Sequence, residues 1–465
     1  MSFTDKYTRA FRLLLPTPFT IAIILTIVSF FLALFSTKNY DQSYFNYSLE
    51  LLEYWENGLW NNNLIVFAFQ MMLMLVLGHV LALTNFFNTL IKIIVKNCTN
   101  TAKAAAIVTF FTIIVSLFNW GLGLIFGAIL ARKVGEYASK HLIKINYSLI
   151  GAAGYSGLMV WHGGLSGSSL AKVAEPGHIK TMMTGIIDDK MITYLPEKIS
   201  YSETFGSNLN LFVTLMLLII LPAFMYFFGK SHGSKKVDIL SVKFNQDDES
   251  SENLIGAEKI DHSKIFSLLI GFIFLFVIGY KIHHVYNWNI LDFFTPNNIN
   301  FLLFGLGLVL HKNIVSFIKA VDEAILGASG IIIQFPLYFG IMGIMKDSGL
   351  INEISNYFVS ISNKASYPIL TFLSAAIVNI FVPSGGGQWA VQGPIIVKAA
   401  LDLKINLPKC IMALAYGDQL TNMLQPFWAL PLLGITGLKA KDILPYTLML
   451  MFIGLIIFTT GLLMG

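Results

Sequence analysis

An all-α polytopic membrane protein of two inverted repeats, with about nine transmembrane helices and two re-entrant helical hairpins, is the fold that three observations predict. The 465-residue chain is 55% apolar and 12% charged and carries 38 Phe, too apolar for a soluble chain of that length. Charge-free runs longer than the ~20 residues that cross a bilayer as helix recur at 13–37, 204–229, 324–345 and 443–465. A constant offset of 260 residues relates Asn119 to Asn379, Gly127 to Gly387, Lys144 to Lys404, Asn146 to Asn406 and Ala153 to Ala413. The formal charge of +5 comes from basic residues set between apolar runs, which fits cytoplasmic loops and excludes a nucleic-acid partner. Cys98 and Cys410 supply no disulfide framework and no metal cluster, and no cofactor is implied.

Taken in order, the run at 13–37 follows Lys6, Arg9 and Arg12 and reads as an uncleaved first span, longer than a signal h-region and without a small-x-small cleavage site. Those basic residues put the N-terminus in the cytoplasm, and the next loop, with Asp41, Glu50, Glu53 and Glu56, falls outside. A second span near 64–84 returns to Lys92, Lys96 and Lys103. The uncharged stretch 104–131 ends at Arg132, Lys133, Lys140 and Lys144, again an inside signature, so it enters and leaves from one side as a hairpin turning at Asn119-Trp120-Gly121-Leu122-Gly123. Residues 145–166 then cross, a long polar segment follows, and 208–228 cross back, closing a first repeat over 1–228.

Residues 229–264, with Lys235, Lys236 and the acidic Asp247-Asp248-Glu249, read as a cytoplasmic linker. A connecting span at 265–285 reverses the side from which the second repeat, 286–465, begins. Within it, 300–310 returns inward, 311–323 is a short amphipathic segment with Lys312 and Lys319, and 324–345 goes out. A second hairpin at 365–397 enters from the opposite side, a broken span starts at Cys410, and the last span is 443–465.

The breaks carry the functional signal. Pro383-Ser384-Gly385-Gly386-Gly387-Gln388-Trp389 places three glycines in a charge-free run, at ~1 kcal/mol each against alanine in a helix. Unwound chain at membrane depth is tolerated only where protein or a water-filled cavity satisfies it, which marks a solute site. Half-helix N-termini there offer N–H groups to an anion and C-terminal ends offer carbonyls to a cation, so a small carboxylate plus a coupling cation fits. Candidate substrate-binding residues are His162, Gly163, Gly164, Ser166 and Ser168 in the first half and Ser384, Gly385, Gly386, Gly387 and Gln388 in the second. Candidate coupling residues are Asn119, Gly121, Asn379, Asp418, Thr421 and Asn422, with Na⁺ at the hairpin tips or H⁺ as the ion. Glycines and serines also serve as plain helix contacts, and Asn119 and Asn379 as caps of a hairpin turn.

Gly154-Tyr155-Ser156-Gly157-Leu158-Met159-Val160-Trp161-His162-Gly163-Gly164-Leu165-Ser166-Gly167-Ser168 and Pro383-Ser384-Gly385-Gly386-Gly387-Gln388-Trp389-Ala390-Val391-Gln392-Gly393-Pro394 resemble the short-chain fatty acid transporters of the AtoE family. That family is similar to the ion-transporter superfamily of dicarboxylate, citrate and aminobenzoyl-glutamate carriers. The resemblance covers essentially the whole chain. It implies a non-enzymatic secondary transporter that takes up acetoacetate, butyrate or similar monocarboxylates across a bacterial inner membrane by cation-coupled symport. It also implies a homodimer with scaffold and transport domains working by an elevator displacement. Where sodium-coupled dicarboxylate relatives have Ser-Asn-Thr tips, this chain offers Asn119-Trp120-Gly121 and Ser384-Gly385-Gly386, and no Arg follows Arg132 to clamp a carboxylate bidentately. Two rivals are an intramembrane serine protease using Ser166 of Gly164-Leu165-Ser166-Gly167 with His79 as base, and an anion channel.

Overall fold

The computed structural model describes residues 16–231, 236, 256–286, 288, 293, 295–311, 313–325 and 328–464. Lys6, Arg9 and Arg12, on which the cytoplasmic N-terminus rests, lie outside the described residues, as do Lys235, Lys312 and the Asp247-Asp248-Glu249 run. Every element among the described residues is a helix. The first half holds α1 (Pro18–Ser36), α2 (Tyr44–Leu59), α3 (Asn62–Ala82), α4 (Asn85–Val95), α5 (Thr101–Phe118), α6 (Trp120–Lys140), α7 (Tyr147–Tyr155), the short α8 (Ser168–Ala174) and α9 (Asn208–Ser231). The second holds α10 (Lys264–His284), α11 (Pro296–Leu310), α12 (Ile314–Ile325), α13 (Ser329–Asp347), α14 (Leu350–Ser360), α15 (Tyr367–Phe381), α16 (Gly385–Asp402), α17 (Leu407–Thr421), α18 (Pro426–Thr436) and α19 (Ala440–Met464).

Seven of these, α1, α3, α5, α9, α10, α13 and α19, are long and apolar enough to cross a membrane, and α11, α15 and α18 are apolar but shorter. The series of long helix, short helix, helical pair, interrupted helix and long helix runs from α3 to α9 and again from α13 to α19. Matched caps start the interrupted helix in each half: Asn146 Oδ1 accepts from Leu149 N–H and Asn406 Oδ1 from Lys409 N–H. This is the physical content of the Lys-Ile-Asn match at the constant offset.

Three readings change. Residues 38–61, read as an outside loop, contain α2, because Tyr47, Leu51 and Gly58 recur at helical spacing as a buried face while Glu53 and Glu56 stay exposed. Helices α4 and α14 were not expected; each is short and amphipathic, and α14 buries Leu350, Ile351 and Ser355 while exposing Asn352, Glu353 and Asn356. The glycines do not form the turns. The first turn is Asn119 alone, which ends α5 and caps α6, its Oδ1 accepting from Leu122 N–H at 3.0 Å. The second is Val382-Pro383-Ser384, with Gly385, Gly386 and Gly387 forming the first turn of α16 under the Ser384 cap. First-turn N–H groups have no partner inside the helix, so space decides which residue stands there and propensity matters less.

What the glycines supply is close approach. A Cβ on Gly123 would fall 2.0 Å from Ser116 Oγ on the facing arm of its hairpin, and one on Gly417 would fall 2.2 Å from Phe372 O where α17 crosses α15. Helices α2 and α13 meet in the same way, with a Gly343 Cβ placed 2.2 Å from Tyr54 O and 3.0 Å from Gly58 Cα. Gly343→Val therefore forces these backbones apart, and overpacking of this kind costs about 1–3 kcal/mol. A thermal unfolding scan in detergent should show the loss as a lower midpoint; an unchanged midpoint would mean that the two helices do not pack this tightly.

Candidate functional site

The site is built where both interrupted helices stop. Helix α7 gives way to a 3₁₀ turn at Ser156–Met159 and then to non-helical chain through Gly167. Helix α17 gives way to Asn422–Leu424, and Pro426, which lacks an N–H, opens α18. Tyr155 OH bridges the two breaks, donating to Asn422 O at 2.8 Å and lying 3.0 Å from Gln425 O. Freed carbonyls of one half are thus satisfied by a side chain of the other.

Both hairpin tips meet the unwound stretch between Trp161 and Ser168. From the first tip, Leu117 O accepts from Leu165 N–H at 2.8 Å, and Trp120 N–H donates to Ser166 Oγ at 3.0 Å. From the second, a Cβ on Gly385 would lie 2.8 Å from His162 Cε1 and 2.9 Å from Trp161 Cη2, so only glycine lets the tip rest on these rings. Gly386 has more room, its nearest neighbour being Ser168 Cβ at 3.9 Å. The N–H groups of Gly385 and Gly386 meet no main-chain acceptor among the described residues, while Gly387 N–H donates to Ser384 Oγ at 3.1 Å.

At the centre are two fully buried titratable groups from opposite halves, His162 and Asp418, with Nδ1 and Oδ1 3.0 Å apart. His162 Nε2 accepts from Ser169 N–H at 3.1 Å and lies 2.9 Å from Ser169 Oγ. An amide N–H can only donate, so in this arrangement Nε2 is the acceptor and the ring proton belongs on Nδ1, toward Asp418. The contact is close enough for electrostatic attraction but out of line for a hydrogen bond, and neither oxygen of Asp418 accepts one from any described residue. A buried carboxylate without donors is costly.

Around it lies an oxygen-rich cluster. Asn379 Nδ2 lies 2.6 Å from Asp418 O, 2.9 Å from Asn422 Oδ1 and 3.0 Å from Thr421 Oγ1, three acceptors around its two N–H bonds, and Asn379 Oδ1 is left without a hydrogen bond. Gln425 Nε2 donates to Asn379 O, and Gln425 Oε1 is likewise unsatisfied. Of these oxygens, Asn379 Oδ1, Gln425 Oε1 and the Asp418 carboxyl pair are without a hydrogen bond, and they are of the kind that could hold a hard cation such as Na⁺.

The remaining expected residues divide. Gly163 lies inside a buried chain of bonds, its N–H donating to Gln419 Oε1 at 2.9 Å and its O accepting from Asn210 Nδ2 at 2.8 Å, with Tyr416 OH on Asn210 Oδ1 at 3.0 Å. Gly164 backs onto Leu117 O, where a Cβ would fall at 2.6 Å. Gln388 braces the hairpin through Nε2, which donates to Ala375 O at 2.8 Å and Gln392 Oε1 at 2.7 Å, while its Oε1 stays unsatisfied. Gln392 in turn donates to Ser355 Oγ on α14 and Ser374 Oγ on α15. Asn119 Oδ1 is engaged as a cap, and Gly121 packs against Met74 on α3.

Residues that the sequence did not single out include Asn210 and Gln425, whose partners Gly163, Tyr416 and Asn379 come from distant segments with no local signature. Another is His178, whose Nε2 accepts from Trp389 Nε1–H at 3.1 Å; burial holds this imidazole below its usual range, which keeps the acceptor lone pair available. The protease pairing is not brought together. Ser166 sits at Trp120, whereas His79 lies beside Ile129, Arg132 and Lys133, roughly 15 Å further along α6 at 1.5 Å per residue.

A family model described as "Short chain fatty acid transporter" matches residues 2–464. A protein of Escherichia coli (strain K12) is 33% identical over 456 residues, covering 96% of each chain. One of Haemophilus influenzae (strain ATCC 51907 / DSM 11121 / KW20 / Rd) is 34% identical over 465 residues, covering 99% of this chain and 97% of its own. Both carry the name "Putative short-chain fatty acid transporter". Among solved structures, the YdaH transporter of Alcanivorax borkumensis aligns over 97% of both chains at 14% identity with a TM-score of 0.45. MtrF of Neisseria gonorrhoeae, from a class of antimetabolite efflux pumps, aligns over 97% of both at 14% identity and a TM-score of 0.40.

Proposed function

The chain belongs to the short-chain fatty acid transporter family, and from that premise we propose that it takes up acetoacetate, butyrate or a similar monocarboxylate by symport with H⁺ or Na⁺. The observation that carries this reading is the meeting of both hairpin tips on residues 161–168 beside the buried His162 and Asp418. The substrate carboxylate sits at the N-terminal end of α16, on the Gly385 and Gly386 N–H groups, with the Ser384 and Ser168 hydroxyls near it. A helix N-terminus favours an anion, and one carboxylate without an arginine clamp suits a monocarboxylic acid. Asp418 carries the coupling cation, with Asn379, Thr421 and Asn422 as oxygen donors if the ion is Na⁺ and His162 as the neighbouring proton group if it is H⁺.

The two helix series are related as inverted repeats about an axis in the membrane plane. Helices α5 to α9 and α15 to α19 form the moving transport domain; α1 to α3 and α10 to α13 form the scaffold and the homodimer contact. The protein resides in a bacterial inner membrane with its N-terminus in the cytoplasm, and alternating access proceeds by an elevator displacement. A hydrolase reading has one observation in its favour, the contact order Ser169, His162, Asp418, but Ser169 N–H already occupies the lone pair that would accept the hydroxyl proton. Labelling by a fluorophosphonate would revive it.

Uptake of butyrate and acetoacetate into proteoliposomes under separately imposed Na⁺ and proton gradients tests the proposal. One cation per carboxylate makes the transported unit neutral, so a tenfold cation gradient, ~1.4 kcal/mol, sustains at most about tenfold accumulation whatever the membrane potential. A second cation adds the potential, ~2.3 kcal/mol or roughly 50-fold per 100 mV. Accumulation under neither gradient removes the symport assignment, and currents far above carrier turnover would favour a channel.

A further inference from the structure

We propose that the cleft beside the α15–α16 tip receives the aliphatic tail of the transported acid, and that Met342 on α13 sets the longest chain admitted; this rests on the transporter reading above. A cavity of about 330 Å³ lies between α2, α3, α13 and α16, walled by Leu64, Phe339, Met342 and Ile351 and ending at Val382 and Gly387. It adjoins a wider cavity of about 750 Å³, with Lys346, Ala390 and Val391 lining both. Ligand pockets run from roughly 300 to 1,000 Å³, so the inner chamber has the volume of a small-solute site and the outer one that of an approach to it.

Polarity changes along this path. Asn57, Asn61 and Asn63 stand at the junction of α2 and α3 and Lys346 and Asp347 at the end of α13, whereas Leu64, Phe339, Met342 and Val382 supply aliphatic and aromatic wall. An acid whose carboxylate reaches the first turn of α16 has its tail lying back along Leu64, Phe339 and Met342, the apolar part of a lining that also includes Lys346 and Asp347. Met342 decides how much tail fits. Its Cε would be 3.4 Å from a Cβ on Gly387, so the thioether end closes the space where carboxylate and tail meet. Methionine is unbranched and adaptable, a yielding stop that a shorter or bulkier residue would move. Glycine at 387 keeps the other side of that gap open.

Each methylene that finds apolar cover contributes about 4-fold in affinity, so chain-length competition reads the chamber directly. In proteoliposomes, unlabelled straight-chain acids from propionate to octanoate compete with labelled butyrate. Met342→Ala is expected to lower the half-inhibitory concentration of hexanoate relative to butyrate by about 5-fold or more, and Met342→Phe to raise it by a similar factor. Should Met342→Ala fail to insert, Leu64→Ala on the facing wall carries the same expectation. A hexanoate-to-butyrate ratio that stays constant across the Ala and Phe variants overturns the proposal. Absence of butyrate uptake by the unsubstituted protein overturns the transporter reading instead.

Discussion

Asp418→Asn should reduce the accumulation of butyrate from about tenfold, under a tenfold gradient of the coupling cation, to simple equilibration. The carboxylate is fully buried, faces His162 Nδ1 at 3.0 Å and accepts no hydrogen bond from any described residue. An amide keeps its shape and its place in α17, and the main-chain carbonyl that Asn379 binds is untouched. The charge is lost, and with it the means of holding H⁺ or Na⁺ during the crossing. Downhill exchange of internal for external butyrate separates coupling from folding, because a carrier that has lost only its cation still exchanges. Undiminished accumulation in this variant would remove Asp418 from the coupling role.

Gly385→Val should lower the rate of uptake by about 100-fold, the scale on which a misplacement of roughly 1 Å acts at a functional site. The added atoms meet two rigid rings, His162 Cε1 at 2.8 Å and Trp161 Cη2 at 2.9 Å, neither of which yields as a flexible chain end does. The tip must then withdraw from residues 161–168. Gly386→Ala is the informative comparison, since its Cβ meets only Ser168 Cβ at 3.9 Å and the backbone N–H is retained. Uptake by the Gly386 variant should stay within about threefold of the parent. Equal loss in both would mean that helix propensity in the first turn of α16, and not contact with His162, is the reason for glycine there.

Much of the architecture was legible because bilayer thickness acts on composition directly. Residues 13–37, 204–229 and 443–465 became α1, α9 and α19, and the match of Asn146 with Asn406 became two identical caps. Helices α2, α4 and α14 were not legible, since each buries only one narrow face and reads as loop to a hydropathy count. The glycine run was located correctly and explained wrongly. In sequence it reads as a break, but it opens a helix and makes room for His162, a requirement imposed by a residue from the other half of the chain. Pairing of His162 with Asp418, and of Gly163 with Gln419, was likewise beyond reach, because each residue carried a signal and the contact between them did not.

The first tip joins the unwound strand in part through peptide groups, Leu165 N–H to Leu117 O. That junction is indifferent to the identity of either side chain and is abolished only by proline at 165. Ranking positions by how well their side chains are kept among relatives would pass over this joint entirely, although it fixes where the first hairpin tip touches the unwound strand of the same half.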